Sequence, residues 1–184
     1  MMTHFLQAPL TEEQLLPLHA GDEVVINGVI YVARDAAHQR MATLLAQGLP
    51  LPFDPIGQMI YYMGPTPPKP GQVIGAAGPT TAGRVDRYTP ALLAAGIKAT
   101  IGKGYRSAAV RAAMVQHKAI YLAAIGGAGA LISRSILSRE VIAWPELDTE
   151  ALQRIKVGNF TCFVVNDIYG DDLYEQGRAR YQLR

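Results

Sequence analysis

The stretch KATIGKGYRSAAVRAAMVQHKAIYLAA, residues 98–124, decides the fold. Its apolar residues form a short run over 98–101, a helically spaced run from about 107 to 117, and a second short run over 119–124. Strand, helix and strand in direct succession favour a sheet layer covered by helices. We therefore predict an α/β fold.

The flanking sequence extends this alternation. Upstream, Asn27-Gly28 inside an apolar run predicts a hairpin over Glu23–Ala33 that turns through a type I′ pair. A helix follows directly, so Arg34 is expected where strand meets helix, with Asp35 capping the first turn or complementing its dipole. Further strands are predicted at Gln58–Met63, Gln72–Ala77, Glu140–Ala143, Leu152–Val157 and Phe160–Val165, and further helices at Asp86–Ala95, Ala128–Ser135 and Asp172–Tyr181.

Length and composition indicate a single compact domain over residues 1–184. Apolar residues make up 49% of the chain and charged residues 17%, which excludes disorder as its main state. The net charge is +2, from 17 basic and 15 acidic residues that are scattered along the chain. Because no basic stripe is present, we expect no nucleic-acid partner.

Three observations concern location and metals. Residues Met1–Leu10 lack the basic cluster, apolar run and cleavage site of a secretion signal. The longest uncharged apolar stretch, Ala119–Ile132, has 14 residues, whereas a spanning helix needs about 20. The single cysteine, Cys162, cannot alone form an internal disulfide or hold a zinc ion or an iron–sulfur cluster. We expect a cytoplasmic chain with no membrane partner and no metal ligands of its own.

Three glycine-rich segments each connect a predicted strand to a predicted helix. Gly78-Pro79-Thr80-Thr81-Ala82-Gly83-Arg84-Val85-Asp86 offers backbone N–H groups, hydroxyls and a guanidinium, which is typical of a carboxylate or phosphate cradle. Gly102-Lys103-Gly104 places a lysine in the second such turn, without the spacing of a P-loop. Gly126-Gly127-Ala128-Gly129 favours close packing of strand and helix over ligand contact.

Taken in order, four segments resemble the β subunit, or C-terminal domain, of the iron–sulfur class I fumarate hydratases, and less closely the L-tartrate dehydratase β subunit. They are residues 33–38 (ARDAAH), 78–84 (GPTTAGR), 102–104 (GKG) and 165–175 (VNDIYGDDLYE). The resemblance covers nearly the whole chain. It implies a swivelling β/β/α domain that closes over a [4Fe–4S] cluster carried by a separate α subunit or an N-terminal domain.

The resemblance also implies roles for individual residues. Arg34 and Arg84 correspond to arginines that clamp a dicarboxylate, and planar guanidinium groups match carboxylates bidentately. Thr80 and Lys103 correspond to catalytic residues, with Thr80 either a base or only a group that orients substrate. Thr81 and Gly83 are also expected to bind substrate. Supporting residues that hold this set in place, without a catalytic step of their own, are expected to be Asp35, His38 and Asp86.

The implied activity is reversible hydration of fumarate to L-malate by a heterodimer or heterotetramer with the cluster-bearing α subunit. Three alternatives stay open at this point. The chain could serve a tartrate dehydratase, a mesaconate hydratase, or a complex in which it binds anions as a regulatory subunit without catalysing a reaction. Fumarate, tartrate and mesaconate all need two carboxylate clamps, so the two predicted arginines do not distinguish between these substrates.

Overall fold

The computed structural model describes residues 2–182. The strands are β1 Thr3–Ala8, β2 Glu23–Val32, β3 Met59–Tyr61, β4 Met63–Pro65, β5 Ala77–Pro79, β6 Ala99–Gly102, β7 Ile120–Ala123, β8 Ile136–Ala143 and β9 Leu152–Asn166. The helices are α1 Glu12–Leu15, α2 Asp35–Ala46, α3 Thr89–Ala94, α4 Ala108–His117, α5 Gly129–Ile132 and α6 Leu173–Tyr181. Three 3₁₀ segments cover Ala82–Val85, Ser133–Ser135 and Pro145–Glu150.

Seven strands form one sheet in the order β1-β2-β3-β6-β7-β9-β8, and an additional pairing of β2 with β9 closes part of it. The strands β2, β3, β6, β7 and β9 therefore form a small barrel-like ring. Neighbours from β2 to β7 run parallel, whereas β9 runs antiparallel to both β2 and β7. The segment 98–124 supplies β6, α4 and β7, as predicted.

The hydrophobic core lies on both faces of this ring. In β3, Met59 and Tyr61 join the inner cluster, whereas Ile60 packs in the outer cluster with Met41 of α2 and Met114 of α4. All three β3 residues are buried. Because both faces are covered, such strands are continuously apolar and do not alternate with polar residues.

The predicted hairpin at Asn27-Gly28 is wrong, because β2 continues through it as one strand. Gly28 adopts a φ of +109°, and the pairing of β2 with β9 shifts register between Ile26 and Gly28. A Cβ at Gly28 would lie 2.8 Å from the carbonyl oxygen of Ala8 in β1. The Asn-Gly pair thus forms an irregularity where three strands approach closely, a role that glycine fills as readily as a turn.

Other predicted boundaries also change. No strand covers residues 72–76, and β5 begins at Ala77 and pairs with β4 in a separate two-stranded sheet. The helix predicted from Asp86 begins at Thr89, since Asp86 makes contacts of its own described below. The two strands predicted after residue 152 are one 15-residue strand.

The prediction of a single α/β domain is confirmed. Its sheet is closer to a closed ring than to the open layer that was expected. The swivelling motion stays a prediction. Within residues 2–182, no helix is both long and apolar enough to cross a membrane.

Candidate functional site

The segment after β5 lies against the end of β6. The Thr80 N–H and hydroxyl both donate to the Tyr62 carbonyl oxygen, at 2.7 and 3.1 Å. The Lys103 N–H donates to the Thr80 carbonyl oxygen at 3.1 Å, and the Ala82 N–H donates to the Lys103 carbonyl oxygen at 2.9 Å. Thr80 and Thr81 are thereby fixed beside Lys103 by backbone bonds. Thr80 is half-buried, and the Thr81 and Lys103 residues are exposed.

The third glycine-rich loop, residues 126–129, packs beside the two segments that carry Thr80 and Lys103. A Cβ at Gly129 would lie 3.0 Å from the Gly78 nitrogen, and one at Gly126 would lie 3.6 Å from Cδ of Lys103. The packing interpretation of residues 126–129 fits these distances. The loop gives the lysine side chain a surface to lie across, while the three predicted glycine segments meet at one end of the sheet.

The N-terminus of α2 contributes the next group of residues. Arg34 occupies the N-cap position in an extended conformation, and Asp35 is the first helical residue. Nη2 of Arg84 lies 2.5 Å from Oδ2 of Asp35. The structure thus brings the two predicted clamp arginines to the same helix end, although they are 50 positions apart in the sequence. Gly83 is exposed beside Arg84.

Glu150 belongs to this group but was not predicted. Its Oε2 accepts the Ala36 N–H at 2.8 Å, and its Oε1 lies 3.5 Å from Nη2 of Arg34. A carboxylate at this position satisfies a free helix N–H and complements the helix dipole. Glu150 ends a 3₁₀ segment more than 100 positions after Arg34, and nothing in the local sequence marks it.

Arg106 is the second residue that the sequence reasoning missed. Its side chain is fully buried, its Nε lies 2.9 Å from Oδ1 of Asp86, and its Nη2 donates to Thr89 at 2.7 Å. Asp86 Oδ2 also accepts the Ser107 N–H at 2.6 Å. Asp86 therefore joins the segment after Arg84 to the segment after Lys103, which is a supporting position with 13% of its side chain exposed. Burial lowers the pKa of Arg106, but the neighbouring Tyr62 and Asp86 outweigh this effect and raise it.

His38 supports the site from inside α2. Its Nδ1 lies 2.9 Å from the carbonyl oxygen of Arg34, so that nitrogen must carry the proton and donate it. The imidazole is fully buried and meets the Tyr62 ring edge-on at 5.2 Å between centroids. Burial lowers the pKa of His38 to about 4, which keeps it neutral near pH 7. A neutral His38 orients the Arg34 backbone and adds no charge.

The residues of this chain do not fit an iron–sulfur cluster. Cys162 lies fully buried in β9, and burial raises the pKa of its thiol, whereas cluster iron binds thiolates. Among residues 2–182, no group of three or more His, Cys, Asp or Glu side chains is placed to hold a metal ion. This end of the sheet offers three cationic groups, namely two guanidinium groups and one ammonium group, together with a neutral threonine hydroxyl.

Comparisons with known proteins agree on one family. A sequence model described as "Fumarase C-terminus" matches residues 3–177. "Fumarate hydratase 2" of Leishmania major is 39% identical over 169 residues, 91% of this chain and 30% of that protein. "Fumarate hydratase class I, aerobic" of Escherichia coli K12 is 37% identical over 175 residues, 93% of this chain and 32% of that protein.

A further relative differs in length. "Putative L(+)-tartrate dehydratase subunit beta" of Methanocaldococcus jannaschii is 33% identical over 173 residues, 91% of this chain and 89% of that protein. The chain thus spans about a third of the length of the fumarate hydratases named above, and most of the length of a protein named as a subunit.

Proposed function

Because the chain belongs to the fumarase C-terminus family, we propose that it is the β component of a hydro-lyase that reversibly hydrates fumarate to L-malate. The observation that carries this proposal is the convergence of Arg34, Arg84, Thr80 and Lys103 on one end of the sheet. Three cationic side chains and one hydroxyl suit a substrate with two carboxylates and a reacting carbon between them.

The two arginines bind the substrate in this proposal. A guanidinium group pairs with a carboxylate through two parallel N–H donors, which fixes orientation as well as charge. Nη2 of Arg34 lies 3.5 Å from Oε1 of Glu150, which is longer than an ordinary hydrogen bond, so this contact leaves the guanidinium donors open to a carboxylate. Arg84 is more than half exposed and is held at one edge by Asp35. One arginine at each end would set the length of diacid that fits.

Thr80 and Lys103 act at the reacting carbon in this proposal. During hydration of fumarate, negative charge moves onto a substrate carboxylate, and a fixed cation stabilises that charge more than it stabilises the ground state. Lys103 supplies this charge. Thr80 either exchanges a proton with the carbon or orients the substrate, and exchange requires nearby positive charge to stabilise its alkoxide.

The proposed enzyme needs a second protein or domain. We assign the [4Fe–4S] cluster to a partner α subunit, in a heterodimer or heterotetramer, since the one cysteine of this chain cannot hold a cluster. The cluster supplies Lewis-acid chemistry at the hydroxyl that arrives or leaves. Large apolar side chains stand exposed in the loops beside Lys103, among them Tyr105 at 61% and Ile125 at 58%, which supports coverage by a partner. Cytoplasmic location is part of the same proposal.

L-tartrate is the second candidate substrate, and the Methanocaldococcus jannaschii subunit favours it because the match covers 91% of this chain and 89% of that protein. Fumarate leads because the segment Thr80-Thr81-Ala82-Gly83-Arg84 resembles the fumarate hydratase pattern more closely.

The test is co-expression with a cluster-bearing α subunit, anaerobic reconstitution, and assay with fumarate, L-malate and L-tartrate. We expect hydration of fumarate by the complex and no activity or bound iron in this chain alone. A brown, active preparation of this chain by itself would contradict the two-subunit proposal. Turnover of none of the three substrates by the reconstituted complex would contradict the hydro-lyase assignment.

The role of Thr80 is tested by two substitutions in the same complex. If Thr80 transfers a proton, Thr80→Val should lower kcat by about two to four orders of magnitude with little change in KM. If Thr80 only orients substrate, Thr80→Ser should be close to wild type and Thr80→Val should raise KM more than it lowers kcat. Solvent-deuterium exchange at malate C3 distinguishes the two, since only the first role makes exchange depend on the hydroxyl.

A further inference from the structure

We propose that Glu150 is a positioning residue that holds the Arg34 guanidinium ready for a substrate carboxylate. The inference rests on the proposed function in one respect, the assignment of Arg34 to the dicarboxylate clamp. It adds a residue from the loop between β8 and β9, a part of the chain that supplies none of the other site residues.

The two oxygens of Glu150 have different tasks. Oε2 is fixed by the Ala36 N–H at 2.8 Å, while Oε1 faces Nη2 of Arg34 at 3.5 Å. At the longer distance the carboxylate attracts the guanidinium without occupying its donors. Both side chains are mostly buried, with 21% of Arg34 and 27% of Glu150 exposed, so solvent screens this attraction less than at an open surface.

The loop that carries Glu150 is docked on α2 at two places. Besides the Glu150 contacts, Arg40 forms an ion pair with Glu146 and lies over the Trp144 ring at 5.7 Å. Trp144 and Asp148 both have positive φ values, 56° and 51°. Positive φ values are uncommon for non-glycine residues and persist where the surrounding structure holds them. The docked loop therefore presents Glu150 from a defined backbone and not from a loose surface turn.

The charges around the helix end alternate in sign. Glu150 faces Arg34, and the adjacent Asp35 pairs with Arg84. Two guanidinium groups at one helix end repel each other, and these carboxylates offset the repulsion before any substrate is present. Glu150 thus acts through Arg34, whose orientation governs the capture of one substrate carboxylate.

The first test is Glu150→Gln in the complex with the α subunit, with Glu146→Gln as the matched control. Glutamine keeps the acceptor for the Ala36 N–H and removes the charge that faces Arg34. We expect KM for fumarate to rise about 3-fold to 10-fold with kcat within about twofold, since orientation governs capture in the ground and transition states alike. Glu146→Gln breaks an ion pair of the same loop away from Arg34, so its kinetics should match wild type. A merely structural role would reduce the folded, active fraction and leave KM unchanged.

Glu150→Gln also removes the direct repulsion between the Glu150 carboxylate and the dianionic substrate, which would lower KM. Assays at about 0.3 M salt, where the Debye length is about 6 Å, reduce that direct effect. A double-mutant cycle separates the two effects. In the Arg34→Met background, Glu150→Gln should leave KM unchanged if Glu150 acts through Arg34. An unchanged or lower KM in Glu150→Gln, or an effect that persists without Arg34, overturns the proposal.

A second variant covers the case in which Glu150→Gln fails to fold. Glu150→Asp keeps the charge but is one methylene too short to reach both partners, so it should raise KM by a smaller factor than glutamine, against Glu146→Asp as control. Equal KM values in these two variants overturn the proposal in the same way.

Calorimetric binding of succinate to the same complexes distinguishes this inference from the proposed function. One outcome is that no complex turns over substrate, while Glu150→Gln binds succinate more weakly than wild type and Glu146→Gln do. That result would support the positioning role of Glu150 and contradict the hydro-lyase assignment. Equal KM and equal succinate affinity in all variants of an active enzyme would overturn the positioning role alone. Absence of both turnover and succinate binding in the wild-type complex would contradict both.

Discussion

Arg106 and Arg84 show two uses of the same side chain within one end of the sheet. The Arg106 side chain is fully buried, pairs with Asp86 and donates to the hydroxyls of Tyr62 and Thr89. The Arg84 side chain is 55% exposed and pairs with Asp35. The first arginine joins two loops, and its guanidinium is buried away from any ligand. The second stands on the rim, the solvent-exposed edge of this end of the sheet, where a substrate can reach it.

The comparison separates positioning from recognition. A buried charge needs an opposite charge and hydrogen-bond partners, so it fixes the loops that carry those partners. A charge on the rim contributes little to folding and can therefore exchange its partner for a substrate carboxylate. Burial and pairing thus indicate which cations organise the site and which can bind.

The largest difference is expected when the two arginines are truncated. Arg106→Met leaves Asp86 without its charged partner, and breaking a buried pair costs about 3 to 5 kcal/mol in free energy of unfolding. Arg84→Met should cost less than about 1 kcal/mol, because its ion pair is exposed. Urea denaturation of both variants measures the two values. Similar losses in the two variants would remove the distinction between the regions.

The buried region should also respond to pH through His38. Its pKa falls from 6.5 in the unfolded chain to about 4 in the fold, so the stability from neutral burial is complete above pH 6.5 and is lost as the pH falls towards 4. That difference corresponds to about 3 kcal/mol. Denaturation at pH 7 and pH 4 should show a smaller pH effect in His38→Gln than in wild type. Equal pH effects would mean that His38 is not buried in the neutral form.

The smallest effect is expected at Asp35, on the rim. Asp35→Asn removes the partner of Arg84 but leaves a half-exposed site where water can replace the contact. The free energy of unfolding should change by less than about 1 kcal/mol, measured by denaturant titration. A loss above about 2 kcal/mol would place Arg84 in the structural framework together with Arg106.

The sequence predicted the parts of this site that depend on local pattern. Loops after apolar strands marked Thr80, Arg84 and Lys103, and the strand-to-helix junction marked Arg34. The sequence did not reveal Glu150, because its contact with α2 depends on a bend between β8 and β9 with no periodic signal. Arg106 lies in the strand–helix–strand segment 98–124, but its buried partner, Asp86, was expected within a helix. The closed sheet was also missed, since pairing of β2 with β9 joins residues far apart in the chain.

The measurement that tests the rim most directly is kcat/KM of Arg84→Lys in the reconstituted complex. Lysine keeps the charge but loses the planar pair of donors, so kcat/KM should fall about 30-fold to 1,000-fold, or about 2 to 4 kcal/mol. Arg87→Lys is the matched control, because Arg87 is an exposed neighbour that lies over the Tyr88 ring at 4.5 Å and should tolerate the change. A value for Arg84→Lys within about twofold of both wild type and Arg87→Lys would contradict the assignment of Arg84 to the dicarboxylate clamp.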